Sequence, residues 1–117
     1  MNQKTLDLIA QTLFDKKAAN ILVLDVRSIS GMTDYFIVAE GNVARHVRAL
    51  GQAVIDALEE EGIPLWSIEG KEFGDWEVLD FGDAIIHLFG PELREKYQLE
   101  SLWRDATIVN VHIDIPK

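Results

Sequence analysis

The stretch ILVLDVR, residues 21–27, does most to limit what this chain becomes. It opens with four apolar residues in a row, Ile21 to Leu24. Successive side chains of a strand point to opposite faces. Such a strand is apolar on both faces, as a central strand of a covered sheet is. The turn-rich SISGMTD follows, then YFIVAE, Tyr35 to Glu40. So short a link predicts a second strand antiparallel to the first.

The rest of the chain supplies more strands and the helices to cover them. Thr5 to Lys17 carries Leu6, Ile9, Ala10, Leu13 and Phe14 on one face at helical spacing, with Ala18-Ala19-Asn20 ending it. Gly41-Asn42 predicts the start of a long helix, Asn42 its N-cap, with Val43, Val47, Leu50, Val54 and Leu58 as the buried stripe. Gly62 ends that helix and Pro64 keeps it ended. PLWSIEG, DWEVLDF and AIIHLF read as three further strands, the last two joined by Gly82-Asp83, suited to a tight hairpin. GPELREKYQLESLW reads as one helix or two short ones, and ATIVNVHIDI as a final strand or an extended tail. The order predicts an α/β fold: a mixed five-stranded sheet with helices packed on it. At 117 residues, 48% of them hydrophobic, the chain has material for one core, and a single domain over residues 1–117 is expected, its core about 5–107 and its tail 108–117. No apolar run approaches the ~20 residues of a membrane span, and the first residues lack the basic-then-apolar order of a secretory signal. The absence of cysteine excludes disulfides and thiolate chemistry and fits a reducing, cytoplasmic setting.

Charge is unevenly spread. Asp56 to Asp83 holds ten acids and one base, Lys71; the remainder holds ten of each. The whole net charge of −9 therefore sits in 28 residues. That segment repels phosphate backbones and attracts a basic partner. Within it, DWE places a tryptophan between two acids. On a strand, Asp75 and Glu77 point one way and Trp76, Val78 and Asp80 the other. Paired acids of this kind hold metals in phosphoryl-transfer enzymes. Such a site also needs a phosphate cradle, and no Gly-rich loop leads into a helix nearby. Solvated acids on an edge strand are the favoured reading, with Trp76 exposed among them. His87, on the strand face of Ile85 and Phe89, is expected to be a hydrogen-bonded structural group, and His46 and His112 lack a partner at metal-ligand spacing. Arg45, His46 and Arg48 beside Gly41-Asn42 offer a weak anion site; an ordinary cap with solvated arginines is favoured. In LREKYQLESLW, Leu93 and Tyr97, and Leu99 and Trp103, are four apart and form a second candidate surface.

LDV (24–26), TDYFIVAEG (33–41), RHV (45–47), EG (69–70), DW (75–76), DFGDAIIH (80–87) and REKYQLESLW (94–103), in this order and spacing, strongly resemble the ribosomal silencing factor family, RsfS or Iojap. The resemblance covers roughly Leu6 to Thr107. It implies a nucleotidyltransferase-like α/β fold without a catalytic site, hence no enzyme, no cofactor and no metal. It implies binding to ribosomal protein L-fourteen on the joining face of the large subunit, with little direct nucleic acid contact. Subunit joining is then blocked sterically and translation repressed. Members often form homodimers when free. Carried over by position, the partner-binding residues are Asp75, Trp76, Tyr97, Leu99, Glu100 and Trp103. Two alternatives stand beside this reading: a metal-dependent nucleotidyltransferase using Asp75 and Glu77, and a large-subunit assembly factor.

Overall fold

In the computed structural model, residues 1–70, 76–90 and 104–115 are described. The strands β1 (Ala19–Asp25) and β2 (Tyr35–Glu40) pair antiparallel, as their short link requires. The helix α1 (Gln3–Asp15) precedes them and α2 (Ala44–Glu60) follows. β3 (Ser67–Glu69), β4 (Trp76–Asp80) and β5 (Ala84–Phe89) form a meander whose last strand returns parallel to β2. β6 (Thr107–Ile108) pairs antiparallel with β1. The sheet order is β3-β4-β5-β2-β1-β6, a mixed sheet of six strands rather than five. The sixth comes from the tail, of which two residues enter the ladder.

Both helices pack on one sheet face. Leu6, Ile9 and Leu13 of α1 and Val47, Leu50, Val54 and Leu58 of α2 meet Val23, Ile37, Ala39, Leu79, Ile86 and Leu88. The alternate residues of the same strands, Leu24, Phe36, Val38 and Phe89, build a second apolar layer on the opposite face, joined by Leu22, Trp76 and Ala106. The central strands are thus apolar on both sides, as ILVLDVR demands. The β4–β5 hairpin closes through Gly82-Asp83: the Phe81 N–H donates to the Ala84 carbonyl at 2.9 Å, and Gly82 takes φ +87°.

Helix ends depart from expectation: α1 runs Gln3–Asp15 rather than Thr5–Lys17, with Ala19 and Asn20 already in β1. α2 is capped at Val43, not Asn42, and no side chain caps it. Val43 is 62% exposed and leaves the predicted stripe, whose other four members are buried. The Asn42 N–H donates instead to His46 Nδ1 at 2.9 Å, and His46 Nε2 lies 2.6 Å from the Lys16 carbonyl, tying the start of α2 to the end of α1. The far end of α2 closes as foreseen, with Gly62 N–H to Glu59 O and Ile63 N–H to Leu58 O. α1 closes in the same way, but with Lys17 in the left-handed position at φ +71°.

After β6 the chain lies along α1. Gln3, Asp7 and Gln11, spaced one helical turn apart, bond the backbone of Asn110, His112 and Asp114. Val109 and Val111 turn inward against the core. A helix face thereby substitutes for a partner strand.

Candidate functional site

Trp76 opens β4 opposite Phe89 of β5, their ring centroids 5.2 Å apart. Its Nε1–H donates to His87 Nδ1 at 3.3 Å, so the neutral His87 carries its proton on Nε2. His87 stacks on Phe36 at 4.3 Å and lies 5.8 Å from Phe89. Four rings from three strands therefore form one array on the face away from α1 and α2. Burial pushes the His87 imidazole down to about 4. His87 is the hydrogen-bonded structural group expected. Trp76 is half-buried, not the open indole the acids around it suggested, because the ring array covers part of it.

The companion acid is a clearer departure. Glu77 is 1% exposed and β4 is an interior strand, so Glu77 is no solvated edge residue. Alternation sends it to the helix-covered face, against Gly51 of α2, where a Cβ would overlap its carboxylate. On Trp76's face, Asp80 Oδ1 accepts the Gly82 N–H at 2.8 Å and shapes the hairpin turn. Among the described residues no three His, Cys, Asp or Glu side chains come together as metal ligands. Asp75, Tyr97, Leu99, Glu100 and Trp103, and the helix expected around the last four, lie outside the described residues. Of the six predicted site residues, the structure places Trp76.

Sequence reasoning passed over a second tryptophan. Trp66, assigned to the strand PLWSIEG, precedes the short β3 and is 72% exposed. Its backbone N–H donates to the Asp80 carbonyl while its ring lies over Gly82. The available signal was its place near the middle of the acidic segment.

The family model for RsfS, ribosomal silencing factor during starvation, matches residues 1–117. The chain belongs to the RsfS family. The ribosomal silencing factor RsfS of Bacillus subtilis is 38% identical over 112 residues, 95% of each chain. The mitochondrial assembly of ribosomal large subunit protein 1 of mouse is 37% identical over 84% of this chain and 44% of its own. The crystal structure of a Chromobacterium violaceum protein superimposes with a TM-score of 0.85 at 31% identity, covering 97% of this chain and 95% of that one. RsfS membership gives the chain a regulatory role on the ribosome, and the mixed α/β sheet is the architecture it shares with that solved structure. Among the described residues no helix is long and apolar enough to cross a membrane.

Proposed function

We propose that this chain silences ribosomes in the cytoplasm by binding ribosomal protein L-fourteen on the large subunit and excluding the small subunit by its volume. It does no chemistry and needs no cofactor. Trp76 is the central ring, desolvated on binding, with Tyr97, Leu99 and Trp103 completing an apolar patch. Asp75 and Glu100 meet lysines or arginines of the partner. The single observation that carries this reading is the ring array: Trp76 is held in one orientation by Phe89 and His87 yet keeps part of its surface in water. A pre-oriented, half-covered tryptophan loses little entropy on docking, the usual property of an interface anchor. A homodimer of the free chain is part of the proposal.

Pelleting of purified large subunits with the chain tests it. Trp76→Ala weakens binding by about thirtyfold or more, from the ~2 kcal/mol typical of a central aromatic, while circular dichroism stays that of wild type. Asp75→Lys and Glu100→Lys slow association and blunt its salt dependence. Wild-type pelleting by a folded Trp76→Ala defeats the proposed surface. The mouse relative's name favours a second reading, assembly of the large subunit. Depletion that leaves large-subunit precursors accumulating in growing cells supports it over repression. The nucleotidyltransferase reading loses support from the seat of Glu77 inside the helix contact. Metal-dependent binding of a nucleoside triphosphate by calorimetry, abolished in Asp75→Asn, is the result that restores it.

A further inference from the structure

Of the two described indoles the more open to water is Trp66, and it stands at the other end of β4 from Trp76. Trp66 bonds through its backbone to Asp80, the last residue of β4, whereas Trp76 is the first. Beneath its ring is the hairpin turn: a Cβ at Gly82 would stand 2.8–3.0 Å from three indole carbons. Glycine at 82 is thus what lets the ring lie flat on the turn. The Asp83 carbonyl accepts the N–H groups of Asp34 and Tyr35, which brings the 26–34 loop to the same end of the sheet. That loop exposes Met32 at 84%. Two large apolar side chains, Trp66 and Met32, are therefore exposed at one end of the sheet.

Their setting is anionic. Asp83 is largely exposed, its partner among the described residues being the Met1 amine at 3.3 Å. Glu59, Glu60 and Glu61 are exposed at the end of α2, from which the chain runs directly to Trp66, and Glu69 is exposed three residues beyond it. Lys4 shares a hollow with Glu61, and Arg27, the base of the 26–34 loop, lies over the Tyr35 ring and is paired with Asp25. Exposed tryptophan with methionine is what an interaction surface uses, and arginine stacks on indole with favourable energy. Surrounding carboxylates select a cationic partner and repel nucleic acid.

We propose that Trp66, Met32 and the acids about them form a second docking surface, separate from Trp76, that takes an arginine- or lysine-rich segment of a partner protein. It goes beyond the L-fourteen reading and does not depend on it. The test is a titration of the ¹⁵N-labelled full chain with an oligo-arginine peptide, the Trp66 indole N–H being assigned with Trp66→Phe. That resonance shifts on titration, and the shift weakens steeply with added salt. Trp66→Ala lowers peptide affinity at least about tenfold, with an unchanged melting temperature because the ring is exposed. Asp83→Asn and Glu69→Gln each weaken binding severalfold, and Trp76→Ala leaves it as in wild type. Shifts confined to other acids with Trp66 unmoved overturn the proposal. So does a Trp66 signal that moves with protein concentration without peptide, which assigns the surface to a second copy of the chain. Failure of the L-fourteen reading shows separately, as unchanged large-subunit pelleting by Trp76→Ala.

Discussion

Glu77 and Gly51 share one small space between sheet and helix, and each limits the other. Adding a methyl at Gly51 forces the carboxylate out of place or α2 off the sheet. Gly51→Ala is expected to cost ~2 kcal/mol or more, as overpacking does. In Gly51→Ala/Glu77→Ala the losses are less than additive by 0.5 kcal/mol or more, roughly the lower bound for contacting residues; urea melts of the four proteins measure this. His87 makes a second residue-scale prediction. Its folded pKa, about 4, lies below the ordinary 6.5, so between these values the unfolded chain binds more protons. Stability then falls as pH drops from 6.5 towards 4, by up to roughly 3 kcal/mol. Protonation also removes the acceptor for the Trp76 N–H. Below that window the loss passes to Asp7 and Asp25, held under the carboxylate range by the His112 N–H and by the Arg27 side chain respectively. Thermal melts against pH show the upper step in wild type and lose it in His87→Leu. Period-two alternation correctly separated Trp76 from Glu77. It had no means of showing which face the helices cover, because that depends on a glycine 26 residues away in sequence. An acid was therefore read as solvated and an indole as open.

The elements themselves were largely legible. Unbroken apolar runs marked the central strands, the helical stripes named Leu6, Ile9, Ala10 and Leu13 and then Val47, Leu50, Val54 and Leu58, and Gly82-Asp83 marked the hairpin. What escaped were ends held by distant groups. Asn42 looks like a cap by type, but His46 takes its N–H while reaching across to Lys16. The tail alternates like a strand, yet after two residues its partner is a helix face. Lys17, at φ +71°, is the strained end of α1. Lys17→Gly is expected to stabilise by up to ~1 kcal/mol, the left-handed penalty less the entropy of glycine, read as a rise in melting temperature. Ending the chain after Ile108 removes the bonds to Gln3, Asp7 and Gln11 and the packing of Val109 and Val111. At about 0.5–1.5 kcal/mol per bond, a loss of ~2 kcal/mol follows, roughly 8 °C in melting temperature for a chain of this size. Hydrogen exchange should quicken in α1 before it does in β2 or β5.

At the scale of the whole molecule, charge and shape divide the tasks. The helix-covered face supplies stability, since α1, α2 and the inner layer of the sheet are spent there. The opposite face presents the ring array with Trp76, and the hairpin end presents Trp66 within the acidic segment. A protein so charged approaches a cationic protein surface quickly and bare RNA poorly. The RsfS family assignment and this division agree with the proposal that the molecule acts by occupying a surface. Rapid mixing of small and large ribosomal subunits, followed by light scattering with and without the chain, tests that most directly. Wild type in excess over large subunits lowers the amplitude of joining, and folded Trp76→Ala restores it at the same concentration. Full-amplitude joining in the presence of saturating wild type contradicts the account.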